Sequence, residues 1–401
     1  MVRLIQRILG RTSHPLNTIF ISKDRLLSNY KTLSKINPKI SIAPVLKSNA
    51  YGHGLAEVGK ILDSRRMFTP DLIRGGNDRM PFICVDSLYE ALILRKAGIK
   101  SEILIIGYID PKSLKHKKLN FSFAVWDLET AEVLDKYQKG AKIHIFVDTG
   151  MNREGIRLDQ LSTFLSQLKL LKNLKIEGLM SHLAVADDPK NPLNKIQFQN
   201  FKKAKEIVKN AGFKPKWFHL GGSYALLNLN PKDCNLIRVG KALYGVVGNA
   251  STSSAKKTSS LSAVEGIHPV LSFKSKIAQI KNIKKGDKIG YSSTFTAQKD
   301  LKIAVLPLGY NDGLDRRLSN KGVVRVGGDG GVGCKILGLI SMNVAVIDIS
   351  EVKNPYLGQE VVIFSDNPKD KNSIQKCAEE CGTISYELLV HLHPSTKRIV
   401  G

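Results

Sequence analysis

Acidic residues are scarce in this sequence: 35 Asp and Glu stand against 61 Lys and Arg, a formal net charge of +26 at pH 7. Such an excess suits a nucleic-acid or anionic partner when the bases cluster with aromatics or along one helix. Here the lysines spread over the whole length and aromatics make up only 7% of residues. The reading is therefore a solvated basic surface, with no nucleic-acid partner. Cysteine is sparse too. Cys84, Cys234, Cys334, Cys377 and Cys381 fall on no zinc or thiol-redox spacing, so no metal is expected, and an odd count implies a reducing compartment rather than a disulfide framework. No apolar run is long enough to span a bilayer, and Met1 to Arg11 carries three arginines in place of a clean signal-peptide core. The expectation is a soluble, cytoplasmic protein with no membrane partner. Internal repeats and heptads are also missing, and no Gly-x-Gly-x-x-Gly turn follows the first apolar strand, which argues against a doubly wound dinucleotide fold.

What is present is a long alternation. With 401 residues and 42% hydrophobic content, the chain can bury a large core and fill more than one domain. Short apolar runs at Ile40–Leu46, Phe82–Val85, Ile103–Ile106, Phe121–Val125, Lys142–Asp148, Leu174–Met180, Trp217–Leu220 and Asn235–Val239 read as eight strands. Between most of them lies a helix or a helix-sized gap. Ser87 with Glu90 reads as a capping box, Asp127 as an N-cap, and Leu158, Leu161, Leu165 and Leu168 as an amphipathic stripe. Eight strand-helix units imply an α/β fold, an eight-stranded (β/α) TIM-type barrel over residues 1–250 with its chemistry at the C-terminal strand ends. A stretch rich in Ser, Thr, Ala and Lys follows, giving a flexible connection over 251–264. The period then changes. Strands at Leu271–Ile283, Leu301–Leu308, Val323–Val326, Cys334–Leu339, Val344–Ile349 and Glu360–Phe364, joined by short Gly, Asn and Asp turns, predict a mainly antiparallel β domain over 265–401. A helix near Ser373–Glu380 and a strand at Ile384–Val390 are expected to close it.

The first strand stops at a lysine. Lys47, followed by Tyr51 and by Gly52 and Gly54 that let the backbone turn, presents one amine at the mouth of a core, a place suited to a Schiff base. The stretch from Lys47 to Gly54, Lys-Ser-Asn-Ala-Tyr-Gly-His-Gly, resembles the pyridoxal phosphate lysine motif of the alanine racemases. Further segments resemble that family in its own order. Asp148-Thr149-Gly150-Met151-Asn152-Arg153 is similar to the segment whose arginine reaches the substrate carboxylate. His182 and His219 end neighbouring strands beside Arg238, a setting for a hydrogen-bonded network. Gly290-Tyr291-Ser292-Ser293-Thr294-Phe295, Gly309-Tyr310-Asn311-Asp312-Gly313 and Ser341-Met342-Asn343 resemble the three C-terminal segments of the family.

The resemblance implies a two-domain pyridoxal 5'-phosphate enzyme that interconverts L-alanine and D-alanine, supplying D-alanine for peptidoglycan. It implies Lys47 and Tyr291 as bases on opposite faces of the substrate, and Tyr51, His182, Ser223, Arg238, Gly240 and Lys241 around the cofactor. Arg238 would face the pyridine nitrogen; Tyr51, Ser223 and Gly240 would hold the phosphate. Arg153, Tyr310 and Met342 would meet the substrate, with the C-terminal segments coming from the partner in a head-to-tail homodimer. Three departures stand out. Phe146 replaces a lysine that many members carbamylate, Gly222 replaces an asparagine before Ser223, and His393-Pro394-Ser395-Thr396-Lys397-Arg398 lacks most of the usual Arg-Val-Pro-Arg ending. The rival readings are a serine or broad-specificity racemase and a non-catalytic pyridoxal phosphate carrier on the same barrel, followed by a basic nucleic-acid binder.

Overall fold

Burial on both faces explains why the barrel strands read as unbroken apolar runs. After a first strand β1 (Thr18–Ile21), the chain forms eight parallel strands: β2 (Ser41–Pro44), β3 (Ile83–Val85), β4 (Ile103–Ile105), β5 (Ser122–Val125), β6 (Lys142–Asp148), β7 (Lys175–Ser181), β8 (Trp217–Leu220) and β9 (Leu236–Val239). The computed structural model describes residues 15–63, 80–115, 117–247, 261, 264–328 and 330–401. The strand order β2-β9-β8-β7-β6-β5-β4-β3 is closed on itself by a parallel bridge between Val45 and Cys84. The result is a nearly closed barrel of eight parallel strands, as expected from the eight runs. Ala43, Val45, Phe82, Cys84, Leu104 and Leu236 pack together as one buried cluster.

Caps fix where the barrel helices begin. Ser87 Oγ accepts from Glu90 N at 3.2 Å, and Asp127 Oδ1 accepts from Thr130 N at 2.7 Å. The expected capping box is only half formed. Glu90 does not return to Ser87; its carboxylate takes the amides of Asp86 and Ser48 instead. The Leu158–Leu168 helix buries Leu161, Phe164, Leu165 and Leu168, one face of a 3.6-residue period.

The second unit is built on a nine-stranded sheet. Its later strands are β10 (Leu271–Lys276), β11 (Gln279–Ile283), β12 (Leu301–Leu306), β13 (Val323–Val326), β14 (Val332–Leu337), β15 (Ala345–Asp348), β16 (Glu360–Phe364) and β17 (Lys397–Val400). They run in the order β11-β12-β15-β14-β13-β16-β10-β1-β17, antiparallel except for the β1–β17 pair. Two expectations change here. Composition assigns everything before residue 250 to the barrel, yet β1 hydrogen-bonds to β10 and β17, so the described residues up to Ser22 group with Pro269–Gly401 and the barrel unit is Lys23–His268. The expected flexible connection at 251–264 lies almost wholly outside the described residues.

The second change is a correction. Ile384–Val390 is not a strand but a helix over Ser385–Val390. Its apolar residues mimic alternation, but those that are buried, Leu388, Leu389 and Leu392 beside Ser385, follow helical spacing. The strand that does close the chain is β17.

Ile19 is wholly enclosed at the centre of β1. Ile19→Ala is expected to lower the unfolding free energy by about 2–5 kcal/mol, read by denaturant titration of the whole chain. A loss under about 1 kcal/mol would mean that the sheet does not depend on its first strand.

Candidate active site

Backbone hydrogen bonds carry β2 to the barrel mouth. Val45 N donates to Val239 O at 2.9 Å and Leu46 N to Cys84 O at 2.8 Å, which pins the two residues before Lys47 between the strands on either side. The next four residues then turn the wrong way. Ser48, Asn49, Ala50 and Tyr51 have φ of 54°, 55°, 53° and 52°, a left-handed turn made without glycine. Specific partners hold it: Ser48 N donates to Glu90 Oε1 at 2.6 Å, Leu55 N donates to Asn49 Oδ1 at 2.8 Å, and His53 Nδ1 lies within 3.0 Å of Ala50 O and 2.9 Å of Tyr51 O. His53 stacks on Tyr244 at 4.4 Å, and the Tyr244 hydroxyl donates back to Val45 O. The turn leaves the Lys47 amine at the cavity wall, 3.3 Å from Asp86 Oδ1.

The cavity has a volume of about 550 Å³ and lies at the C-terminal ends of the barrel strands. All the predicted residues of this unit line it: Lys47, Tyr51, Arg153, His182, Ser223, Arg238, Gly240 and Lys241. Tyr51 crosses directly over Gly240, where a side chain would put its Cβ 2.5 Å from the hydroxyl. Burial pushes the Tyr51 phenol up to about 12, so it is a neutral hydrogen-bonding group here. Beside it, Ser223 Oγ accepts from Ala242 N at 3.3 Å. Tyr51, Ser223 and the backbone at Gly240 thus make a small polar cradle at the ends of β8 and β9.

Arg238 is fully enclosed, and its partners are neutral. It donates to Ser181 O at 2.7 Å and to His219 O at 3.3 Å, and its guanidinium nitrogens lie 2.7 Å from His219 Nδ1 and 3.1 Å from His182 Nδ1. Arginine has no acceptor, so both imidazoles must offer lone pairs. Burial and then the Arg238 charge hold His219 well below its ordinary range. Burial, Arg238, Arg153, Lys47 and Lys241 bring His182 down to about 3. Burial also lowers Arg238, to about 10, less than the sequence suggests but still cationic near neutrality. Lys241 drops to about 8, again through burial, with Asp187 opposing, and its amine sits over the Tyr224 ring.

The carboxylate-binding candidate is differently placed. Arg153 is half-exposed, and its guanidinium pairs with the neighbouring Glu154 at 3.0 Å. Phe146 packs with Ala124 and Met180 and meets Trp126 edge-on at 5.7 Å, so the position that resembles a carbamylated lysine is an apolar wall. The remaining three predicted residues belong to the second unit. Tyr310 N donates to Ser341 O and Asn311 N to Met342 O, which brings the Tyr310 and Met342 loops together. Gly309 lets them meet, since a Cβ there would fall on Ser341 O. Gly290, just before Tyr291, lies against Leu339 of the same segment. Tyr291, Tyr310 and Met342 all expose large side chains.

With this geometry in view, comparison with known proteins is decisive. Residues 21–247 match the family model described as alanine racemase, N-terminal domain, and residues 270–400 match alanine racemase, C-terminal domain. The chain belongs to the alanine racemase family. Among its relatives, an alanine racemase of Methanococcus maripaludis is 31% identical over 394 residues, covering 96% of this chain and 99% of that protein. One of Lactobacillus gasseri is 33% identical over 375 residues, covering 92% of each. Among solved structures, alanine racemase of Clostridium difficile 630 superposes with a TM-score of 0.83 at 26% identity over 97% of both chains. Alanine racemase of Bacillus anthracis with bound L-Ala-P gives 0.82 at 28% identity, covering 98% of this chain and 96% of that one.

Sequence reasoning within this family frame missed Asp86 and Tyr244, read Glu90 only as a helix cap and His53 only as part of the lysine motif, and missed His144 and Glu177 in the barrel wall. Cap and strand residues of ordinary type carry no local signal of their contacts. Phe146 was visible only as a departure from the family pattern.

Three histidines here, His144, His182 and His219, sit below their ordinary range, chiefly through burial. An unfolded chain protonates them below about pH 6.5, while the folded chain takes up each proton only at a lower pH. Stability is therefore complete above that pH and is lost as pH falls, down to about 3 for His182. Denaturant titrations between pH 7 and 4 should show a fall of up to about 1.4 kcal/mol per pH unit for each enclosed histidine. His219→Asn should flatten that slope, and an unchanged slope would show that the histidines do not carry it.

Proposed function

We propose that this chain is a pyridoxal 5'-phosphate-dependent alanine racemase using two bases. The observation that carries the reading is that one amine, one enclosed guanidinium and one hydroxyl-and-amide cradle open together on a single cavity. These groups fit the cofactor's aldehyde, ring nitrogen and phosphate in turn. Tyr51, Ser223 and the backbone at Gly240 would hold the phosphate, Arg238 the ring nitrogen, and Lys47 the aldehyde, with His182 and Lys241 completing the surroundings. When bound, the cofactor supplies an electron sink that acidifies the Cα–H of the attached amino acid.

The chain's own residues do the rest. Arg153 suits the substrate α-carboxylate because its fork matches two oxygens. Lys47 takes or returns the Cα proton on one face. Tyr291, from a second copy in a head-to-tail homodimer, does so on the other, and Tyr310 and Met342 border the entrance. Support for this assignment comes from the exposure of all three side chains and from the family's order of motifs. Arg238 remains cationic, so against the ring nitrogen of a bound cofactor it would keep its own proton and leave that nitrogen unprotonated, which would favour moving one proton and nothing more. The cytoplasm is the proposed compartment, consistent with five free, buried cysteines. Among the described residues no helix is long and apolar enough to cross a membrane.

Lys47→Ala is expected to lower racemisation by roughly 10²–10⁴-fold or more in both directions. Tyr291→Phe should slow net racemisation both ways, yet impair solvent deuterium exchange at Cα far more for L-alanine than for D-alanine. Mixing the two inactive variants should restore activity if Tyr291 acts across a dimer; verified heterodimers without activity would remove the shared site. Rates on serine and lysine alongside alanine separate this reading from a broad-specificity racemase. Because Phe146 cannot carry a carbamate, bicarbonate should leave the rate unchanged, and rescue of stripped enzyme by bicarbonate would identify another lysine in that role.

A further inference from the structure

The enclosed Arg238 is the first member of a line of polar groups that continues away from the cavity. His219 Nε2 lies 2.8 Å from His144 Nδ1, and His144 Nε2 lies 3.6 Å from Glu177 Oε2. Both histidines are completely enclosed. Glu177 sits four residues before Ser181, toward the start of β7, and is also 3.4 Å from Lys142, which contacts Glu102. Ser122 Oγ completes its surroundings at 3.4 Å. Phe82 packs edge-on against His144.

The backbone is shaped to admit His144. The β6–β7 register shifts between Ile143 and His144, so that His144 faces Gly178. Any side chain at 178 would strike its ring, with a Cβ 2.1 Å from Nδ1. A glycine and a register shift therefore make room for one imidazole in the wall.

Donor and acceptor rules leave two opposite proton arrangements for the line, and its two ends, Arg238 and Glu177, favour the same one. Arg238 only donates, so His219 Nδ1 accepts and its proton is on Nε2. That proton can only be given to His144 Nδ1, so the His144 proton is on Nε2 and points toward Glu177. His144 Nε2 has no closer partner among the described residues, and a carboxylate at this distance favours the N–H end of the ring by charge rather than by direct hydrogen bond. The opposite arrangement would turn His219 Nδ1–H against an Arg238 N–H.

We propose that Glu177 is a positioning residue whose carboxylate locks His144 and His219 in the one tautomer that offers a lone pair to Arg238. The lock acts at a distance from the cavity, and it keeps in a fixed place a cation with no carboxylate partner among the described residues. Its consequence for cofactor binding rests on the pyridoxal phosphate reading; the tautomers themselves do not.

The test uses the full chain labelled with ¹⁵N-histidine, whose long-range ¹⁵N–¹H spectra at neutral pH report each ring's tautomer, assigned by single-histidine replacement. His144 and His219 are expected as neutral Nε2–H rings before any cofactor is added. Glu177→Gln, whose amide can also donate, should bring in an Nδ1–H form of His144 and weaken pyridoxal 5'-phosphate binding, followed by absorbance, by about tenfold. Glu177→Asp, which keeps the charge, should restore the parental tautomers. A parental protein with His144 as Nδ1–H or as a cation would overturn the proposal without any variant, even if Glu177→Gln did not fold. So would a folded Glu177→Gln protein with unchanged tautomers. Shifted tautomers with unchanged cofactor affinity would support the lock and count against the placement of the cofactor ring on Arg238.

Discussion

The mouth of the barrel depends on the direction the chain takes after Pro44. Four successive non-glycine residues in the left-handed region cost about 1–2 kcal/mol each, so the Ser48–Tyr51 turn exists only because its surroundings impose it. The Glu90 carboxylate on Ser48 N, the Asn49 side chain on Leu55 N and the His53 contacts supply hydrogen bonds worth about 0.5–3 kcal/mol each. Tyr244, from the segment after β9, braces the same turn from the other side. Glu90 also takes Asp86 N, so one carboxylate orients both the lysine and the aspartate that faces it.

The cavity treats its cations unequally. Lys47 has Asp86 and Arg153 has Glu154, both pairs open to water and therefore readily exchanged for a ligand group. Arg238 has only neutral acceptors among the described residues and is buried at the cavity wall. The exposed pairs suit groups that must meet and release a substrate; the buried one suits a fixed electrostatic boundary. Phe146 sharpens the contrast, because its side chain packs as an apolar wall with Ala124 and Met180 while Arg153 pairs with its neighbour Glu154.

Much of this was legible in sequence because parallel barrel strands are buried on both faces, and their apolar runs at Ile83–Val85, Ile103–Ile105 and Trp217–Leu220 need no context. The residues at strand ends were legible through the family's motifs, which recur with Lys47, Arg153, Ser223 and Arg238 in order. The illegible parts were those decided by distant partners. Thr18–Ile21 carries too few residues to declare which sheet it joins, and Ser385–Val390 carries apolar residues at spacings compatible with either period. His144 and Glu177 look like any strand residues until Gly178 and the register shift bring an imidazole into the wall.

The pairing of β1 has a consequence for how the protein is made. Its neighbours are β10 and β17, with Thr18 opposite Lys274 on one side and Lys397 on the other. During synthesis on the ribosome the eight barrel strands emerge before either neighbour. Neither edge of β1 can be satisfied until Leu271–Lys276 has been translated, and the second only with Lys397–Val400. The barrel therefore has the opportunity to form while an apolar strand upstream of it still waits, unpaired, for residues not yet added. That interval is when this chain presents an open strand edge to chaperones or to other copies of itself.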